Sequence, residues 1–209
     1  MNKVAILLSG CGFYDGTEVA EAILAALALE RAGVRSIFVA PDVPQMHSVD
    51  HLTGVEVEDE RRGVLGESAR IARGKIKSLA EQWPGELGGL IIPGGQGAVK
   101  NLMTHFAALG SRREVIPLVT ALLSDLTSRR APVGSISLGR TVVQTFFDEP
   151  LSDQDMQMAA TEVVVDEARR LVFTPGFLTG ATLPEVASGI EKLVRAMLSL
   201  PARELHVIH

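Results

Sequence analysis

Short runs that are wholly or almost wholly apolar recur along the chain, each broken by glycine, proline or serine. Val4-Ala5-Ile6-Leu7-Leu8 ends in Ser9-Gly10-Cys11-Gly12. Apolar residues on both faces mark a strand buried between two layers, as in a parallel sheet. The same pattern predicts strands over Ser36–Ala40, stopped by Pro41, over Leu87–Ile92, running into Pro93-Gly94-Gly95, and over Pro132–Ile136, ending at Ser137. Between them the apolar period lengthens to that of a helix. Glu18–Ala32 places Val19, Ile23, Ala26, Leu27 and Glu30 on one face, expected to turn to the sheet, with Thr17 or Asp15 as cap and Gly33 closing it. Further helices are predicted over Val64–Arg73, Ala98–Leu109, Glu114–Arg129, Gly139–Phe147 and Thr182–Leu200. Thr161–Val165 and Arg170–Phe173, separated by Asp166-Glu167-Ala168-Arg169, predict a β-hairpin. The polar stretch Asp42–Gly63 predicts loops or short strands at His51-Leu52 and Val55–Val57.

Alternation of strand and helix, with β-α-β inside the first 40 residues, predicts a doubly wound α/β sandwich. The 209 residues fit one domain, and 46% hydrophobic residues with a mean hydropathy of +0.23 supply its core. No apolar run reaches the roughly 20 residues of a membrane span. Leu8-Ser9-Gly10-Cys11 resembles a lipoprotein cleavage box, but only five apolar residues precede Ser9, fewer than the roughly 7 a signal sequence needs. A net charge of −5 with one Trp and one Tyr excludes a nucleic-acid surface. The lone Cys11 excludes an intrachain disulfide, and a cytoplasmic protein is the expectation.

In a doubly wound fold, ligands bind beyond the carboxyl ends of the strands. Three glycine-bearing segments leave strands there. In the first, Gly10-x-Gly12-x-x-x-Gly16 is one residue too long for a dinucleotide fingerprint, and no phosphate loop exists anywhere. No cofactor is expected. In the second, Pro93-Gly94-Gly95-Gln96-Gly97 is either a tight turn or a nest of outward N–H groups for an anion. In the third, Gly134-Ser135-Ile136-Ser137-Leu138-Gly139 has the strand–nucleophile–helix layout of a nucleophile elbow, with Ser137 either nucleophile or helix cap.

These segments together resemble the ThiJ/PfpI superfamily, with its class I glutamine-amidotransferase-like fold, and in particular its ElbB-type branch. The stretches that carry the likeness are LSGCGFYDGTEVAEA (8–22), HLTGVEV (51–57), IARGKI (71–76), PGGQGAVKNL (93–102) and TEVVVDEARRLVFTPGF (161–177). The resemblance implies a flavodoxin-like three-layer α/β/α sandwich with a mostly parallel sheet, a homodimer and a small-molecule ligand or substrate. It implies an elbow nucleophile at Ser137, where the family keeps cysteine, with Glu18 from the first helix hydrogen-bonded to it. It implies oxyanion donors at Gly95 and Leu138, with Gly94, Gln96 and Asn101 around the pocket. The family's partner histidine has no match, since Arg140, Thr141 and Val142 follow the elbow, and Asp148–Met158 is short for the branch.

The branch also carries a cysteine at the place of Cys11, which is either a thiolate near helix N-termini or a small buried hydrophobe. His47 and His51 stand four apart without a third ligand, so no metal site is expected. Lys100 either meets an anionic substrate or is solvated. Two functions follow. One is a cofactor-independent glyoxalase-like lyase or hydrolase acting on small reactive carbonyls through Ser137 or Cys11, with Glu18 as acid and base. The other is a catalytically degenerate member that binds or regulates. A working amidotransferase would need an elbow cysteine and a late His-x-Glu, and Leu183 stands two residues before Glu185.

Overall fold

The computed structural model describes residues 3–81, 87–104, 113–149 and 157–200. Its centre is a seven-stranded sheet. In chain order the strands of this sheet are β1 (Lys3–Leu7), β2 (Arg35–Ala40), β5 (Ile76–Ser78), β6 (Gly89–Ile92), β7 (Val133–Ile136), β8 (Val164–Asp166) and β9 (Leu171–Thr174). In space they run β5-β2-β1-β6-β7-β9-β8. Every neighbouring pair is parallel except β8 and β9, the antiparallel hairpin at one edge. β1 sits near the middle, with Ile6 opposite Phe38 on one side and Ile91 on the other. A separate two-stranded ribbon joins β3 (Val49–Asp50) to β4 (Val55–Glu56).

The two-sided strands explain the layers. Val4, Ile6 and Leu8 point into one core with α1 (Val19–Arg31), α2 (Val64–Ile71) and α6 (Leu183–Ser199). Ala5 and Leu7 point into the other, with α3 (Gln96–Asn101), α4 (Pro117–Ser128) and α5 (Gly139–Phe146). The fold is the flavodoxin-like three-layer sandwich. α6 presents Val186, Ile190, Leu193, Val194 and Met197 to its core, at helical spacing. Thr182 and Glu185 close a capping box at its start.

Several elements differ from the sequence reading. The face of α1 turned to the core is Ala22, Ala25, Ala28 and Leu29, whose mostly small side chains let the helix lie close to the sheet, while Val19, Ile23 and Leu27 are exposed. Neither Thr17 nor Asp15 caps α1. Thr17 Oγ1 instead accepts Ser9 N–H at 2.7 Å and Asp15 Oδ2 accepts Val49 N–H at 2.8 Å, so the cap falls to Glu18, whose carboxylate accepts Glu21 N–H at 2.6 Å. The third helix begins at Gln96 and ends at Asn101, because Met103 leaves it to bridge Val115. The remainder of the predicted Ala98–Leu109 helix, from residue 105, lies outside the described residues. β5 has no counterpart in the sequence reading, and β3 falls at Val49–Asp50 rather than His51-Leu52. Among the described residues no helix is long and apolar enough to cross a membrane.

Candidate functional site

β7 ends at Ile136, and the chain turns at once into α5. Ser137 makes that turn with φ 52°, a left-handed conformation that costs a non-glycine residue about 1–2 kcal/mol. Its N–H donates to Thr174 O on β9 at 3.0 Å, and its carbonyl accepts Arg140 N–H at 3.1 Å. The residue is buried. Strain held in place by flanking hydrogen bonds is a mark of a functional turn.

The group that faces this hydroxyl is Glu21, in the first turn of α1. A side chain on Gly94 would start 2.6 Å from Ser137 Oγ and 2.9 Å from Glu21 Oε2, so this glycine leaves the hydroxyl and the carboxyl on one shared space. Glu21 is fully buried. Its Oε2 accepts Gly94 N–H at 2.7 Å and its Oε1 accepts Phe177 N–H at 3.1 Å. Burial pushes its carboxyl up to about 8; the two N–H groups pull it down and the charge of Glu18 pushes it further up. Desolvation outweighs two hydrogen bonds here because the carboxylate has lost all contact with water. At neutral pH Glu21 is therefore mostly protonated and can donate as well as accept.

The sequence-derived candidates are placed as follows. Glu18 is half-buried, and its side chain is occupied as the α1 cap. Its N–H donates to Gly94 O at 2.9 Å, so its backbone, not its carboxylate, meets the site. Gly95 has φ 90° and precedes α3, while Leu138 precedes α5. Neither of their N–H groups has a hydrogen-bond partner among the described residues. Both turns leave the carboxyl ends of adjacent parallel strands, β6 and β7. Gln96 is half-buried and donates its N–H to Phe13 O at 2.7 Å. Asn101 is buried and knits loops together. Its Nδ2 donates to Ser9 O and Asp15 O at 2.8 Å each, and its Oδ1 accepts Met46 N–H at 3.0 Å. That leaves its amide no free donor for a ligand.

Cys11 stands apart from this pair. It is half-buried on the core that includes α2, and burial, then the charge of Glu67, push its thiol up. Arg70 and Arg62 pull it down without offsetting this. A thiol pushed up is less nucleophilic at neutral pH than a free one. His47 Nδ1 lies 3.1 Å from Glu56 Oε1 and His51 Nε2 lies 3.8 Å from Asp15 Oδ1, so the two histidines face different acids. Lys100 donates to Tyr14 O at 2.7 Å. Among the described residues no three of His, Cys, Asp and Glu form a cluster fit for a metal ion.

Glu21 was missed by sequence reasoning, as were the Gly176-Phe177 turn and Thr174 that complete its surroundings. A signal was present. Glu18 and Glu21 are three apart on one helix, so both can approach the same point, and only the capping register separates them.

The architecture is that of the DJ-1/ThiJ/PfpI superfamily. A crystal structure from Ehrlichia chaffeensis, of an isoprenoid biosynthesis protein with an amidotransferase-like domain, superposes with a TM-score of 0.85 at 27% identity, covering 94% of this chain and 98% of that one. A DJ-1 superfamily protein from Salmonella typhimurium shares the fold at a TM-score of 0.54 and 17% identity, over 95% of this chain and 90% of that one. Among curated proteins, the rat mitochondrial ES1 protein homolog is 34% identical over 96% of this chain and 85% of its own length. The human mitochondrial glutamine amidotransferase-like class 1 domain-containing protein 3 is 38% identical over 96% of this chain and 84% of its own length. The chain belongs to this ES1 family of glutamine amidotransferase-like class 1 proteins. No protein-family model matches it. The expectation of a cytoplasmic protein is corrected by these relatives, which are labelled mitochondrial, as is an ES1 protein from zebrafish, and point to mitochondria instead. A single free thiol requires only a reducing compartment and does not choose between the two.

Proposed function

We propose that the Ser137 elbow binds a small carbonyl compound without turning it over, in a catalytically degenerate member of the superfamily that folds as one domain over residues 1–209. The observation that carries this reading is that the Ser137 hydroxyl and the fully buried Glu21 carboxyl border one space beside Gly94. A serine needs an adjacent base to become a nucleophile. Glu21, which faces Ser137, holds its proton at neutral pH because burial pushes it to about 8. What remains is a set of donors. The Glu21 carboxyl, the Ser137 hydroxyl and the N–H groups of Gly95 and Leu138 suit a carbonyl or carboxylate oxygen. The protein acts as a homodimer in this reading, supported by an exposed apolar stripe of Val19, Ile23 and Leu27 along α1. The test is calorimetric titration with methylglyoxal and glyoxal, alongside assay of lactate and glycolate. Saturable binding that Ser137→Ala weakens, with no product formed, is the expected result. Product formation that depends on Ser137 would overturn it.

The enzymatic reading, a glyoxalase-like lyase or hydrolase, is favoured by one feature. A carboxyl near 8 is suited to give and take a proton close to neutral pH. In that case the shuttle is Glu21 rather than Glu18. Equal lactate formation by wild type and Glu21→Gln would rule it out.

A further inference from the structure

The loop after β1 holds an acid and a base that the elbow does not use. Asp15 is 1% exposed. Its Oδ2 accepts Val49 N–H at 2.8 Å, while its Oδ1 is buried with no hydrogen-bond partner. A buried carboxylate oxygen left unpaired is costly. Facing it, 3.8 Å away, is Nε2 of His51. That nitrogen is engaged elsewhere, accepting Tyr14 N–H at 3.2 Å, while Nδ1 lies 3.1 Å from Val49 O. A carbonyl only accepts, so the hydrogen-bond pattern puts the proton on Nδ1 and a lone pair on Nε2. The ring lies over Gly12, in the space a side chain there would fill.

We propose that Asp15 and His51 form a proton-operated latch on the 12–17 turn. A proton from solvent adds to the Nε2 lone pair, and the half-exposed imidazole is open to receive it. The imidazolium can no longer accept Tyr14 N–H, and its new N–H turns to Asp15 Oδ1, the acceptor left without a partner. The Tyr14 amide passes to water, on a residue that is itself exposed.

Other charges surround the pair. Lys100, on α3, donates to Tyr14 O at 2.7 Å. Glu56, on β4, pairs with His47 at 3.1 Å. Asp50, next to His51, has its Oδ1 held by Leu52 N–H at 2.8 Å. Cys11, Arg62 and Lys100 feel the charge of Asp15, and Glu67 acts on Cys11 and Arg62 from α2. Among the described residues, Asp15 is the carboxylate within 4 Å of the His51 ring. The turn also abuts the elbow. Phe13 O accepts Gln96 N–H at 2.7 Å and Gly16 O accepts Gly97 N–H at 2.9 Å, so movement at Tyr14 reaches the first turn of α3, beside Gly95.

The test is nitrogen–proton NMR of the full chain between pH 5 and 8, following the Tyr14 and Val49 amides together with the His51 ring. The Tyr14 amide and His51 Cε1–H should titrate with one common midpoint. In His51→Gln the Tyr14 amide should stop responding. In Asp15→Asn the Val49 amide should stop following the His51 ring, because the imidazolium N–H no longer has a carboxylate to turn to. Asn keeps an acceptor for Val49 N–H, so this variant stands as the test should His51→Gln fail to fold. A Tyr14 amide that is silent in wild type, an equal response in His51→Gln, or a Val49 amide that still follows the His51 ring in Asp15→Asn would overturn the latch.

Discussion

The Glu21 carboxyl and the Ser137 hydroxyl lie on the same side of Gly94, each within 3 Å of the point where a side chain on that glycine would begin. A helix that starts at Val19 and a strand that ends at Ile136 are thereby joined through a residue with no side chain of its own.

Replacement of that glycine should therefore be severe. Gly94→Ala drives a methyl group into Ser137 and Glu21 and should cost roughly 2 kcal/mol, within the range for overpacked cores. Ser137→Gly removes one of the two obstacles. The double variant should recover part of the loss, giving a coupling energy of about 1 kcal/mol in a denaturation cycle. Strict additivity would show that the two positions do not share the space.

Ser137→Gly alone should not destabilise. Glycine adopts φ 52° freely, so relief of strain offsets the lost packing and the greater freedom of the unfolded chain. Chemical denaturation should place the variant within about 1 kcal/mol of wild type. A larger loss would mean that the hydroxyl itself stabilises the turn.

Ser137→Cys should restore a reactive thiol at the elbow. Iodoacetamide labelling followed by peptide mass spectrometry should find position 137 modified at least about tenfold faster than Cys11, whose thiol is pushed up by burial and by Glu67. Preferential labelling of Cys11 would place the reactive environment elsewhere.

Glu21 should shape the pH dependence of stability. Its folded-state value of about 8 lies above the ordinary 4.5, so the folded chain holds a proton that the unfolded chain releases. Stability is then fully present below about 4.5 and declines as pH rises to about 8, by about 1.4 kcal/mol per unit at most. Glu21→Gln should flatten this decline between pH 5 and 8, measured by urea denaturation. Parallel profiles for the two proteins would contradict the buried acid.

Much of this fold is legible in the sequence because its central strands are apolar on both faces. Val4–Leu8 and Leu87–Ile92 have no polar position to confuse the period, Pro132–Ile136 has one, Ser135, and each stops at a glycine, proline or serine turn. β5 is legible to no such rule. It has three residues at the sheet edge, one of them Lys77, and takes its strand form from pairing with Phe38–Ala40. The elbow was legible because its glycines and serine sit at a strand end. The carboxyl beside it was not. Choosing between Glu18 and Glu21 depends on where α1 begins. That start is decided by distant partners: Val49 N–H draws Asp15 away, and Ser9 draws Thr17.

The bond from Phe177 N–H to Glu21 spans 156 residues of sequence. During synthesis, the first helix would emerge with its acid unsheltered and would wait for a further 156 residues before the pocket could close. Assembly of the site therefore waits on the strands β6, β7 and β9, all of which precede residue 177. Nascent chains halted before residue 177 should carry an ordinary, water-accessible Glu21 in place of the buried acid.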